Sequence, residues 1–348
     1  MIITSKILFI YFINDLPEVT DLPMEIFADD TKGFNKSDNK SDQTKLQNCI
    51  DAMMEWTEKW LLKFNCHKCK ALHVGKHNCQ YNYTIGKGDE KLTLEKTVKE
   101  KDLGVYIDPL LTFEEHINET IKKSNNMSHL ISRSITYKTK EIMVPLFKSL
   151  IRPILEYANV VWSPSKKQDI NALEQVQRRF TKHMIGMSNL TYEDRLRNLN
   201  LPSLEYRRFR GDMIETFKIT HNFYDQRVTG SLLKSSTNNS TRTNGYKLEK
   251  TSFNGNQYKH FFTNRVINTW NSLPGSAVCS KTINEFKTNV IDTSVNLSMK
   301  LICLFTNENF TFMTAFVIKM FNMHSSSHSI LGLLNLITRL GAHPWFLR

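Results

Sequence analysis

The stretch Met24-Glu25-Ile26-Phe27-Ala28-Asp29-Asp30 constrains this chain more than any other. Met24, Ile26 and Ala28 alternate with other residues, the period of a strand with one buried face. The adjacent carboxylates of Asp29 and Asp30 then call for a turn. Asp is a favoured turn residue, and two like charges side by side need a cation or hydrogen-bond donors. A β-hairpin from Met24 to Phe34 is expected, with the Asp pair near its tip. Nucleotidyl transfer uses such a pair to clamp divalent ions on the attacking and leaving oxygens. On its own, the pair suits an exposed loop equally well.

The 348 residues are 40% apolar and 23% charged, the composition of a folded chain with room for two or three modules. Charge is unevenly placed. Residues 1–110 hold 15 Lys+Arg against 17 Asp+Glu, residues 111–290 hold 27 against 15, and residues 291–348 hold 4 against 2. The formal +12 thus resides beyond residue 110, where a basic surface suits an anionic partner such as nucleic acid. Six scattered cysteines make no disulfide framework and fit a reducing, intracellular compartment, cytoplasmic or nuclear. The apolar runs Ile7–Ile13 and Phe310–Phe321 are too short for a bilayer, so no membrane segment is expected.

The reading by elements is α+β. In the first 110 residues it gives a helix fragment from Thr4 to Asn14, the hairpin, and a helix from Gln43 to Leu62. Short strands follow at Ala71–Gly75, Tyr81–Ile85, Lys91–Leu94 and Leu103–Ile107. From Thr112 onward the chain reads as helical, at Phe113–Tyr137, Lys140–Ile151, Asp169–Ile185, Tyr192–Asn198, Leu204–Tyr224, Asn256–Ser272 and Thr282–Val290. The second of these is expected to stop before Pro153. A Ser-, Thr- and Asn-rich loop spans Thr229–Asn256, and the tail from Ile291 gives no periodic pattern.

The order of short segments is specific. Leu8 to Pro17 leads into the Asp pair, and Thr31-Lys32, Trp56 to Trp60, Lys63 to Lys70 and Lys101-Asp102-Leu103-Gly104-Val105 follow. Then come Arg152 to Tyr157, Gln177-Arg178-Arg179, Leu204-Glu205-Tyr206-Arg207-Arg208 and Trp270 to Pro274. Over about residues 5 to 290 this succession resembles the reverse transcriptases of jockey-type retrotransposons without long terminal repeats. The resemblance implies a partial polymerase palm over 1–110, a helical thumb-like region over 111–165 and a basic helical extension over 166–290. Residues 291–348 are an unassigned tail.

The resemblance also implies roles. Asp29 would be a direct ligand of catalytic Mg²⁺, which Mn²⁺ could replace, with Asp30 the supporting carboxylate and Phe27 on Asp29's face under the primer end. Lys68, in competition with Lys70, would stabilise charge on the leaving pyrophosphate. Leu103 and Gly104 would lie in the hairpin that holds the primer end. Arg178, Arg179, Arg207 and Arg208 would meet phosphates, or pair with Glu174, Glu205 and Asp212 on helix surfaces. The partners would be an RNA template and a DNA primer, with self-association through an exposed palm surface. No zinc is expected at Cys66, Cys69, His73, His77 and Cys79, because the residues around His73 read as a buried strand.

A two-metal palm needs a third carboxylate on a strand well ahead of the hairpin, and no counterpart to that strand is found. The chain is expected to begin inside the palm. The ancestral activity is RNA-directed DNA polymerisation, with the isolated chain inactive. The alternative is a non-catalytic nucleic-acid-binding remnant, or a degenerate copy without function.

Overall fold

The computed structural model describes residues 11–62, 64–76, 78–230, 232–236, 245–250 and 259–293. The expected start of the first helix, most of the Ser-rich loop and the tail beyond residue 293 lie outside them. The chain divides into two compact units, one with the described residues up to Leu111 and the other with those from Thr112 onward.

The first unit is built on helix α1 (Lys40–Trp60), which opens with the Asn39 side chain accepting from the Asp42 amide. Trp56 of α1 packs with Ile13 and Leu16, and Met24, Ile26 and Met53 cover this core. The indole N–H of Trp56 donates to Asp15 at 3.0 Å, so Asn14 to Pro17 is a structural corner. Strands β1 (Met24–Phe27) and β2 (Asp30–Gly33) form the expected antiparallel hairpin. Its Met24–Ile26 side packs on this core as the alternation foretold, whereas Ala28, the third residue of that alternation, lies in the turn and is exposed.

Short strands complete the unit. β3 (Lys70–Leu72) pairs in parallel with β6 (Glu95–Thr97), β4 (Thr84–Ile85) pairs with β5 (Leu92–Thr93), and β7 (Glu100–Asp102) pairs with β8 (Val105–Ile107). Gln47 of α1 acts as a strand edge for β4, exchanging bonds of 2.9 and 2.8 Å with the Thr84 backbone. β6 and β7, rich in Lys and Glu, lack the apolar alternation that would reveal them in sequence.

The second unit is helical: α2 (Glu114–Ser134), α3 (Lys140–Leu146), α4 (Arg152–Glu156), α5 (Asn159–Trp162), α6 (Lys167–Lys182), α7 (Tyr192–Leu199), α8 (Leu204–Thr220), α9 (Phe262–Asn271), α10 (Gly275–Val278) and α11 (Ile283–Thr293). The expected stop before Pro153 is corrected. The chain stays helical through a π turn, Phe147–Ile151, into α4. Pro145 and Pro153 each lack an amide donor, and the wider turn between them absorbs the mismatch. Phe147, Phe180, Phe217, Trp162, Trp270 and Phe286 form the fully buried centre.

Candidate nucleic-acid site

The hairpin turn consists of two residues, Ala28 and Asp29, because Phe27 pairs with Asp30. Ala28 has φ 52°, in the left-handed region that costs an alanine about 1 kcal/mol. Asp29 sits at the exposed tip and Asp30 is the exposed first residue of β2. The expected face is corrected at Phe27. Cross-strand partners share a side of a sheet, so Phe27 lies with Asp30, while Asp29 belongs to the turn.

Continuing down that side, Glu25 stands opposite Lys32, and Glu25 is buried. The Lys32 ammonium forms an ion pair with Asp102 at the end of β7. Asp102 is followed by the two-residue turn Leu103-Gly104, with φ 43° and 88°. Two positive φ values favour a glycine and suit the twist of a tight hairpin. The Lys32–Asp102 pair therefore ties together the two hairpins that the sequence singled out separately. Burial raises the Asp102 carboxyl above the usual range and nearby Asp30 pushes the same way, while Lys32 opposes them.

Sequence reasoning missed this contact. Its signals were available: Lys32 is two residues from Asp30 on one strand face, and Asp102 directly precedes the Leu-Gly turn.

Lys68 is exposed on a short 3₁₀ turn, Cys66–Lys68, and Lys70 lies 3.9 Å from Glu95. His73 is buried, with Nδ1 3.0 Å from the Asn78 side-chain oxygen.

Mg²⁺ demands near-octahedral oxygen ligands. Among the described residues, no group of three His, Cys, Asp or Glu side chains is placed to hold a metal ion. Asp29 and Asp30 offer two carboxylates, and Asp102 is engaged by Lys32. Among the described residues, these carboxylates do not make up a complete two-metal site.

The four arginines separate into two kinds. Arg178 and Arg179 are exposed on α6, with the Arg178 guanidinium 4.4 Å from the centre of the Tyr192 ring. Arg207 and Arg208 are both 5% exposed, which corrects their expected phosphate role. Arg207 grips Glu156 of α4 with two hydrogen bonds, one of them 2.9 Å. Arg208 is deeply buried, so its pKa is pulled down by desolvation and pushed back up by Glu174, Glu205, Glu156 and Asp212. A phosphate from solution does not reach either residue.

Glu174 accepts from the Leu204 amide at 3.0 Å and the Glu205 amide at 3.3 Å, and from the Tyr192 hydroxyl. It thus satisfies the open amides at the start of α8. Gln177 donates to the Pro202 carbonyl at 2.9 Å. The Gln177 and Leu204–Arg208 segments of the sequence pattern are therefore largely the lock between α6 and α8.

The class of protein to which comparison points is the RNA-directed DNA polymerases of mobile elements. The chain is 25% identical over 212 residues to the polymerase of the mobile element jockey from Drosophila melanogaster, covering 57% of this chain and 23% of the polymerase. It is 26% identical over 168 residues to the jockey polymerase of Drosophila funebris, covering 46% of this chain and 18% of that protein. An uncharacterized protein of Caenorhabditis elegans is 24% identical over 127 residues, 36% of this chain and 62% of its own length. These likenesses support a relationship to jockey reverse transcriptases, of which the chain spans less than a quarter. No protein-family model and no solved structure matches. Among the described residues, no helix is long and apolar enough to cross a membrane.

Proposed function

We propose that this chain is a nucleic-acid-binding part of a retrotransposon reverse transcriptase and that it does not itself polymerise. The jockey likeness supports the ancestry, and the basic balance beyond residue 110 supports binding to an RNA template and DNA primer. The observation that carries the reading is the carboxylate set. Asp29 and Asp30 stand at the hairpin tip, Glu25 further along that side is buried opposite Lys32, and Asp102 of β7 is paired with Lys32. Two carboxylates hold Mg²⁺ loosely, because this ion gives up its waters reluctantly.

In the ancestral reaction a primer 3′-hydroxyl attacks a nucleotide α-phosphate, and Asp29 and Asp30 would belong to its metal clamp. Lys68 would neutralise the leaving group, and the Leu103–Gly104 turn would approach the primer.

Primer extension on poly(rA) with an oligo(dT) primer, in Mg²⁺ or Mn²⁺, tests this. No incorporation is expected. Incorporation that disappears in Asp29→Ala would overturn the proposal.

A further inference from the structure

The helical unit carries a surface that none of the contacts above uses. On α6, Gln168, Asn171, Gln175, Arg179 and Lys182 are all exposed. Spaced by three or four residues, they line a roughly 100° arc over about 21 Å. The helix's two carboxylates are elsewhere: Glu174 is buried against α8, and Asp169 is half-buried. Solvated helix faces usually mix signs. This one presents amides and cations only.

The stripe ends at a corner of unusual character. The Ile185 amide donates to the Lys138 carbonyl at 3.0 Å, which seats the turn after α6 against the link between α2 and α3. Ile185 is 60% exposed there and Tyr137 is 75% exposed, beside exposed Lys140 and Lys182. From residue 120 to 155 the chain has seven Lys and Arg and a single acid, Glu141. Exposed Tyr137 offers a ring on which a base can stack, and the surrounding charge selects an anionic partner.

We propose that this face of α6 and the Tyr137–Ile185 corner bind single-stranded nucleic acid. Arg179, Lys182 and Lys140 meet phosphates and a base stacks on Tyr137. The stacking demands a single strand, because a paired base has no free face. The inference rests on the nucleic-acid-binding part of the proposed function and replaces Arg207 and Arg208 with a surface that solvent reaches.

The test uses the full chain, labelled oligo(rU) and an RNA–DNA duplex, read by anisotropy between about 50 and 200 mM salt. A triple variant, Lys140→Gln with Arg179→Gln and Lys182→Gln, is compared with Tyr137→Ala. Lys45→Gln with Lys59→Gln and Lys91→Gln is the charge-matched control. The surface triple variant should lose about tenfold or more in affinity, and its salt slope should fall by up to about two units. Tyr137→Ala should weaken oligo(rU) by about 5- to 100-fold and leave the duplex unchanged.

If the wild type binds oligo(rU) and neither surface variant weakens it, the surface is wrong and nucleic-acid binding stands on other residues. A control as weak as the triple variant also overturns the surface. Equal loss on the duplex in Tyr137→Ala overturns the stacking. If the wild type binds neither probe at low salt, the broader reading falls too. All substituted residues of the surface are exposed, and unchanged near-ultraviolet circular dichroism verifies the fold.

Discussion

Lys32 and Asp102, seventy residues apart, form an ion pair that joins the hairpin of the Asp pair to the hairpin of the Leu103–Gly104 turn. Asp102 is 8% exposed at its side chain and Lys32 23%, so the lysine is the more solvated partner. The desolvation of Asp102 is offset chiefly by this one cation.

Removing the lysine should therefore cost more than removing the acid. Lys32→Met leaves a buried carboxylate without its cation. A loss of about 2 kcal/mol is expected, below the ~3–5 kcal/mol of fully buried pairs because Lys32 is partly solvated. Asp102→Asn should cost less. Urea unfolding of both variants decides the order, and equal losses would mean the pair is not the joint between the hairpins.

Glu215 of α8 should make stability depend on pH. It is fully buried, and desolvation pushes its pKa from 4.5 to about 7 against Lys218 and the Tyr224 hydroxyl, which donates to it at 2.6 Å. With a raised pKa, the folded chain holds a proton that the unfolded chain has released between these values. This contribution is present below pH 4.5 and fades as pH rises to about 7, by a total on the order of 3 kcal/mol. Urea midpoints measured across that window should fall for the wild type, and Glu215→Gln should lessen the fall.

Arg207→Ala is expected to act on the fold and leave recognition alone. It strands Glu156, 14% exposed at its side chain, at the contact between α4 and α8. The expected loss is about 3 kcal/mol, with oligonucleotide affinity of the folded fraction unchanged. A stable variant with weakened binding would return Arg207 to the interface.

The first unit should associate with itself when expressed alone. Among its described residues every sheet has two strands, so each strand has an edge without a neighbour in its sheet. Such edges pair readily with another copy. Light scattering on residues 1–111 should show dimers or larger species, and a monodisperse monomer that melts cooperatively would contradict this.

The sequence by itself determined the hairpin of the Asp pair and the long helices α1, α2, α6 and α8, within a few residues at their ends. Each rests on a local period: Met24 and Ile26 at spacing two, and Leu46, Ile50 and Met53 at spacing four and three. Local period also identified Asp29 and Asp30 at a tip, since turn chemistry is a property of neighbouring residues. What only the tertiary structure decided is which polar groups meet. Lys32 finds Asp102, Arg207 finds Glu156, and Glu174 finds the amides of Leu204 and Glu205, across separations of 70, 51 and about 30 residues. An arginine on a helix carries the same letter whether it faces water or a buried carboxylate. Arg178 and Arg207 look alike in sequence, and packing against α4 buries one and leaves the other at the surface.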